Sequence, residues 1–508
     1  MNLFDRMIAA ASPERALKRA LARAQLDRLT TLQTKRSGYD GAKVGGRVAW
    51  SAGNNSANTE LGPALSRLRA RSHDLVRNNP YAARAISSLA GNAVGTGFML
   101  KLPKPVNPYF KAWTEYADAD GQLDYYGLQS LIARTVFESG SCLVRERQRL
   151  PEDGFEIPLQ LQVMEPDYLD MAKQGEVSGG GWIWSGIEYN AIGQRVAYWL
   201  FPEHPGEVAS FRRRSLESKR VPAQYIQHIY EKLRPGQSDG VPRFGASMLR
   251  MRDLDDYEEA ELVRKGFEAC FAAFVIGKEG GRTLGQSAVD PQSGKRVESI
   301  SAGMVAYVDD ASDVRFGQPA ASGGYGEYTR GHLHAIAAGA GTTYEAMTGD
   351  LSQINFTSHR AGLLEFRRLT EVWQWLTFIP MHGSRTLRSW ERQARIAGKV
   401  KSPKPIAPIW TPPKWDWVDP LKEVKAVREE IAGGLSSLSE KLRARGYDPD
   451  EVFAEIGQDV QALASAAGIP ADLVFQIMFQ AEGSTRANAT DHQDGPDGQD
   501  EITKGNKK

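Results

Sequence analysis

Met248-Leu-Arg-Met-Arg-Asp-Leu-Asp-Asp-Tyr-Glu-Glu-Ala-Glu-Leu-Val-Arg-Lys-Gly-Phe-Glu-Ala-Cys-Phe271 lies in the longest clean helical pattern of the 508-residue chain. Met248, Met251, Leu254, Tyr257, Ala260, Val263, Phe267, Cys270 and Phe274 recur every three or four positions, as one apolar stripe. The spacing predicts a helix over 246–276, roughly 45 Å long at 1.5 Å per residue. Its other side is acidic: Asp253, Asp255, Asp256, Glu258, Glu259, Glu261 and Glu268 outnumber Arg250, Arg252, Arg264 and Lys265. Acidic residues on a long helix usually form a solvated face. One long helix cannot cover its own stripe, so the chain is expected to be an obligate oligomer.

Upstream, residues 13–30 read as an Ala-rich helix capped by Ser12, either a solvated arm or a piece that docks on a neighbouring subunit. Residues 37–60 read as a loop. A basic helix from Leu65 should stop near Asn78-Asn79-Pro80, because the residue before proline avoids helical backbone. A second helix runs from Tyr81 to Val94. Leu143-Val-Arg-Glu-Arg-Gln148 and Leu159-Gln-Leu-Gln-Val163 alternate as half-buried strands do, with turns at Gly179–Gly181 and Asn190–Gly193. Residues 203–243 read as loop-rich. The fold class is therefore α+β.

Downstream, 277–322 reads as short strands and turns, and Gly323–Gly341 as helix. Thr348–Phe356 reads as a loop, polar and short in side chain, anchored only by Leu351, Ile354 and Phe356. Few buried contacts should make it mobile. Thr357 or Ser358 can cap a basic helix that runs to Trp390. Over 353–401 nine basic residues face three acidic ones. A connector rich in Pro and Trp follows. One helix is then expected from Pro420 through Leu442 to Gly446, and another from Asp448-Pro-Asp-Glu451 to Leu463. Residues 469–508 should be mostly disordered, above all from Glu482, where apolar residues nearly vanish.

Lys and Arg number 63 against 62 Asp and Glu, so the chain lacks the cation surplus of a nucleic-acid-coating protein. Cys142 and Cys270 form neither a disulfide framework nor a zinc site. No apolar run of about 18 residues exists, so no membrane span is expected. The N-terminus does not read as a secretory signal. Nucleophile-elbow, zincin and Walker motifs are absent. Gly277-Lys-Glu-Gly-Gly-Arg-Thr283 resembles a phosphate loop, but it is one residue short and places Arg where Lys belongs. His332 and His334 could share a metal on a strand, but on a helix they point about 200° apart. No catalytic residue, metal or cofactor is expected.

Arg71-Ser-His-Asp-Leu-Val-Arg-Asn-Asn-Pro-Tyr-Ala-Ala-Arg-Ala-Ile86, followed by Asn92-Ala-Val-Gly-Thr-Gly97, resembles the opening of lambda-family phage portal proteins. Three further stretches are similar to the same family: Arg234-Pro-Gly-Gln237 with Gly240-Val-Pro242, Gly349-Asp-Leu-Ser-Gln-Ile-Asn355, and Trp410 and Trp415 ahead of Val418-Asp-Pro420. Phe356-Thr357-Ser358 departs mildly from the family's usual Tyr-Ser-Ser. The resemblance covers about residues 60–460.

It implies a portal fold with a mixed α/β wing (61–245 and 358–418), a helical stem (246–276 and 323–345), a small α/β clip (277–322) and a helical crown (419–468), after an N-terminal arm and loop (1–60). Residues 346–357 would be a channel-facing tunnel loop. The implied function is a ring, twelve-fold in virions, at one capsid vertex, through which double-stranded DNA enters and leaves. Implied partners are the terminase large subunit, head-completion or tail adaptor proteins, and the major capsid and scaffolding proteins. The implied location is the virion, and the host cytoplasm during assembly. Asp253, Asp256 and Glu259 would form an acidic stem wall that repels the DNA backbone. Asp350, Gln353, Asn355, His359 and Arg360 would line the tunnel loop and its exit, unless they serve as interface or helix-cap contacts. Two other readings compete: a head-assembly enzyme such as a nuclease or maturation hydrolase, and a head–tail adaptor.

Overall fold

The computed structural model describes residues 53–207, 217–269, 324–413, 415 and 420–479, with five short strands between 273 and 316. The expected arm helix at 13–30 and the tail beyond 480 lie outside the described residues. The chain divides after Ser56, and the main body begins at Ala57.

Helix α1 (Ala57–Asn78) starts within the stretch that sequence reads as loop and carries Pro63 inside its first turns. Helix α2 (Pro80–Ala93) follows after one residue. Asn79 caps it: its side-chain oxygen accepts the Ala82 N–H at 2.9 Å, and Pro80 needs no donor at the first helical position. The Asn79 amide also donates to Asp255 at 2.6 Å, which ties this corner to the long acidic helix.

Strand β1 (Met99–Lys101) is followed by helices α3 (Asn107–Thr114) and α4 (Tyr125–Ser139), which interrupt the expected run of strands. Strands β2 (Ser141–Gln148) and β3 (Leu159–Met164) pair antiparallel, with Leu143 opposite Met164, as the alternation predicts. Strands β4 (Gly175–Val177), β5 (Gly181–Trp184), β6 (Ile187–Tyr189), β7 (Arg195–Leu200) and β8 (Lys219–Pro222) form an antiparallel meander. Strand β9 (Ile226–Tyr230) corrects the loop-rich reading of 203–243. It pairs with β2, and all five of its residues are buried. Its Gln227 and His228 read as polar, but both spend their polar atoms inside. Gln227 donates to Glu146 and Thr386, and His228 faces Asp239.

Helix α5 (Met248–Ala269) is shorter than expected, about 33 Å by its 22 residues. Strand β10 (Ala273–Gly277) takes the end of the predicted helix. It joins β14 (Ala311–Phe316) and β13 (Val305–Ala306), after the hairpin β11 (Gln286–Val289) and β12 (Arg296–Ser299). Periodicity cannot separate a short apolar run such as Ala273-Phe-Val-Ile276 from a helix end, and here the strand partner decided it.

Helix α6 (Tyr325–Ala340) ends at Gly341, which is left-handed at φ 72°. Helix α7 (Tyr344–Thr348) then occupies the start of the expected 346–357 loop, so the loop proper shrinks to Gly349–Asn355. Helix α8 (Phe356–Trp373) begins earlier than either predicted cap residue, and the Asn355 carbonyl accepts the His359 N–H at 2.9 Å. A π-helical stretch, Gln374–Gly383, links α8 to α9 (Ser384–Ile396). Pro380 lies in it and has no N–H to give, so the wider winding absorbs the missing bond.

Strand β15 (Ile409–Thr411) pairs back with β1. The single helix expected over 420–446 is two, α10 (Pro420–Ala432) and α11 (Leu438–Ala444). Gly434 is left-handed between them and Ser437 caps the second. Helix α12 (Pro449–Ala467) starts at the predicted Asp448 cap. Helix α13 (Ala471–Phe479) lies inside the stretch read as disordered from 469. No single described helix is long and apolar enough to cross a membrane.

The main core lies where α2, α4, α9 and the β3-β2-β9 sheet meet, around Trp113, Tyr125, Phe98 and Trp390. A second core, with Leu143, Ile187, Tyr198 and Val221, joins the meander to the same sheet. The molecule is α+β, as the sequence predicts.

Candidate functional site

Helices α5 and α6 form the part of the fold on which the acidic stripe and the following loop are mounted. Near their base, Met248, Met251 and Leu254 are buried in one core with Leu333, Ile336, Ala337 and Ala340. Farther along, aromatic contacts replace aliphatic ones. Tyr257 lies 4.6 Å from Tyr328 and 6.0 Å from Tyr325, ring to ring, and Tyr328 lies 4.4 Å from His332. Beyond Tyr257 the described stripe residues, Ala260 and Val263, are exposed, and so is Leu262 beside them. Leu262 is 75% exposed and Val263 53%.

The acidic residues of α5 do not act as one wall. Asp253, Asp256 and Glu259 are exposed, as the sequence predicts. Asp256 pairs with Arg252 at 2.8 Å, one turn away. Asp255 instead turns inward to Asn79, and burial pushes its carboxyl above the usual range. Glu258 is half-buried beside Tyr325 and is raised for the same reason. Glu261 is paired with Arg264, whose hydrogen bond pulls its carboxyl down. Among the described side chains the helix therefore keeps an exposed acidic strip of three residues, while Asp255, Glu258 and Glu261 are engaged with Asn79, Tyr325 and Arg264.

Of the five predicted loop residues, three lie in the loop and two on the helix after it. Asp350 accepts the Tyr344 hydroxyl at 2.9 Å and the Ser352 N–H at 3.0 Å. The bonds from Ser352 and then Tyr344 pull its carboxyl down to about 2. Gln353 accepts from Arg330 on α6 at 2.9 Å. Asn355 leads into α8. His359 and Arg360 stand half-buried in the first turn of α8. Leu351, expected to anchor the loop, is 65% exposed. Arg84 on α2 braces the other side, donating to the Ala346 carbonyl at 3.2 Å and lying against Gly349. Sequence reasoning missed Arg330, Tyr344 and Arg84. Arg330 and Arg84 reach the loop through helix packing, from 23 and 262 positions away, whereas Tyr344 stands six residues before Asp350 with no local signal marking its role.

Part of the basic excess over 353–401 is used up internally. Arg385 donates to the Ala223 carbonyl, Arg392 to Ser389, and Arg395 pairs with Glu391. His332 and His334 lie on a helix and stack on different rings, Tyr328 and Tyr344. Glu165, Asp167 and His204 bring three possible ligand atoms together. His204 Nδ1 accepts the Gly206 N–H at 3.0 Å, so the neutral ring carries its proton on Nε2, 3.1 Å from Glu165. That nitrogen makes no hydrogen bond to a described residue, and the tautomer leaves it a donor, not a metal ligand.

The model of the lambda-family phage portal protein matches residues 45–374, well over half of the chain. The chain belongs to that family. The "Probable portal protein" of Halomonas phage phiHAP-1 is 25% identical over 466 residues, covering 84% of this chain and 86% of that one. The portal protein of Escherichia phage N15 is 24% identical, covering 86% and 92%. Portal protein B of Escherichia phage lambda is 24% identical, covering 84% and 90%. Among solved structures, a chain of the native gene transfer agent virion matches at 15% identity and a TM-score of 0.42, covering 78% of this chain and 97% of that one. A chain of that particle's neck in C12 symmetry matches at 14% and 0.42, covering 74% and 94%. Portal proteins are structural components of the head, and this one forms a portal ring at the capsid vertex, the channel for DNA packaging and ejection.

Proposed function

We propose that twelve copies of this chain close the ring, and that double-stranded DNA passes the exposed strip of Asp253, Asp256 and Glu259. Residues 61–245 and 358–418 would be the wing, α5 and α6 the stem, the strands between 273 and 316 the clip, and α10 to α12 the crown. Gly349–Asn355 would be the tunnel loop, with Gln353, Asn355, His359 and Arg360 close to passing phosphates. The terminase large subunit, adaptor proteins, and the major capsid and scaffolding proteins would dock on the assembled ring, first in the host cytoplasm and then in the virion. The chain itself would carry out no catalysis.

The observation that carries this reading is the bare outer half of α5. Leu262 and Val263 lie bare on a helix whose stripe is buried at its base through Met248, Met251 and Leu254, beside an exposed acidic strip. Such a helix is covered by a neighbouring copy. Leu254, by contrast, is fully buried within the chain, so charging it would test folding instead of assembly. The test is negative-stain microscopy of the purified protein and of a Leu262→Glu, Val263→Glu variant. Wild-type rings and a folded, ring-free variant are expected. Intact rings from the variant would remove α5 from the subunit interface.

A further inference from the structure

Strand β2 carries Arg145 and Arg147 at alternate positions, so both guanidiniums share one face of the β3-β2-β9 sheet, about 6.7 Å apart along the strand, and Arg149 follows just past the strand's end. The strand's carboxylate, Glu146, lies on the opposite face, buried against Gln227 and Ser389. Among the described residues, Arg147 and Arg149 donate to neutral amide oxygens alone, those of Gln162 at 2.6 and 2.9 Å and of Gln160 at 2.7 Å. Arg145 has no hydrogen bond or ion pair with any described residue. Burial and then the charge of Arg147 hold Arg145 below the usual guanidinium range, and burial and Arg149 do the same to Arg147. A row of like charges with no ion pair to any described residue is a costly arrangement that an anion would relieve.

This face opens into a cleft of about 270 Å³ lined by Arg145, Glu146, Arg147, Gln148, Arg220 and Tyr225 among others, with the Glu146 carboxylate itself bonded to Gln227 and Ser389. The far wall is β8, the last strand of its sheet, unpaired on its outer edge among the described residues. Arg220 is already satisfied by Glu188 at 2.8 and 2.9 Å, but Lys219 beside it is exposed. A recess of this size takes a few side chains of an extended peptide and is too small for a nucleic-acid duplex.

The chain supplies a complementary segment. Asp491, Asp494, Asp497, Asp500 and Glu501 follow one another with no Lys or Arg between residues 487 and 503. Twelve positions separate Asp491 from the last described residue, Phe479, a reach of up to about 40 Å when extended.

We propose that the acidic segment Asp491–Glu501 of this chain docks along the Arg145–Arg147 face and past Arg149, with its carboxylates on the guanidiniums and its backbone beside β8. Each bond is charge-assisted, and tethering to the same assembly raises the effective concentration of the segment. This docking does not depend on the DNA-channel reading, and ring formation does not depend on it.

The full-length protein tests it by zero-length carbodiimide cross-linking, which joins a carboxylate to an amine only at salt-bridge distance. The expected product joins Lys219 to the 491–501 segment, within or between copies. An Arg145→Lys variant should add a second link at position 145. Half-molar salt should cut the yield several-fold, because the contacts are partly solvated. A variant with Asn at 491, 494, 497 and 500 leaves the folded body untouched and should raise the acetylation rate of Lys219 several-fold. Unchanged acetylation in that variant, or tail cross-links spread over other lysines, would overturn the proposal. So would protection of Lys219 by added duplex DNA but not by the tail.

Discussion

Arg69 Nη2 lies 2.7 Å from Asp239 Oδ2, with the Arg69 side chain 1% exposed and that of Asp239 8%. The guanidinium also donates to the Ser139 carbonyl and the Ser141 hydroxyl, and Asp239 receives His228 at 3.2 Å. One residue of α1 thus pins the end of α4, the start of β2 and the loop before α5. Burial alone would raise the Asp239 carboxyl, but Arg69 and then His228 bring it well below the carboxylate range. Removing one partner leaves a buried charge alone, so Arg69→Met or Asp239→Asn should cost about 3–5 kcal/mol in denaturant unfolding. A depressed carboxyl contributes its full stability above about pH 4 and loses it as pH falls toward the folded value. The wild-type advantage over Asp239→Asn should therefore shrink below pH 4, and a pH-independent difference would contradict the pairing.

His382, in the π-helical stretch, gives a second pH dependence at higher pH. Its Nδ1 donates to Gln227 at 2.8 Å, and burial drives the imidazole down to about 3. A base held neutral in the fold stabilises fully above its unfolded value near 6.5 and progressively less below it. Between pH 6.5 and 5 this residue should cost about 2 kcal/mol of stability. A His382→Gln variant should show a correspondingly flatter slope of unfolding free energy over that interval.

Gly240 and Gly140 cross so closely that a Cβ on Gly240 would lie 1.9 Å from the Gly140 carbonyl oxygen. Gly140 is also left-handed, at φ 88°. Backbone fills the space, and it cannot swing aside as a side chain could. Gly240→Ala should destabilise by about 3 kcal/mol or more, whereas Gly236→Ala, earlier in the same loop with open space around it, should be limited to the strain of its φ of 78°. Paired thermal melts of the two variants compare them directly.

Arg330 holds Gln353, and Tyr344 holds Asp350, across the loop from Gly349 to Asn355. Both contacts are partly exposed, so their loss should leave folding nearly intact. Arg330→Gln combined with Tyr344→Phe should give normal rings with a loop more open to limited proteolysis. Deleting Gly349–Asn355 should also leave rings but impair DNA packaging or retention. Normal packaging by the deletion variant would remove the loop from the channel.

Local signals made the frame of this fold readable. Asn79-Pro80 placed the α1–α2 break, because a cap and a residue without an N–H act within one turn. The alternation over Leu143–Gln148 and Leu159–Val163 placed two core strands. The α5 helix was legible as far as Ala269, and Asp253, Asp256 and Glu259 are exposed acids on it. The π winding at Pro380 and the break at Gly433–Gly434 were not, since a stripe at helical spacing survives a short interruption in the helix.

The sequence by itself determined the fold class, the family resemblance and the loop that joins α7 to α8, because these rest on spacing and on residues with fixed backbone preferences. Tertiary structure alone decided which charges are spent inside. Asp255, Glu146 and Asp239 read no differently from Asp256, yet they are bonded to Asn79, Gln227 and Arg69 across 81 to 176 positions of chain. It alone also turned Ala273–Gly277 into a strand and left Arg145 without an ion pair to any described residue. The physical reason is the same in each case. A carboxylate, a guanidinium or a short apolar run takes its role from the partner that packing brings to it, and such partners lie far away in sequence.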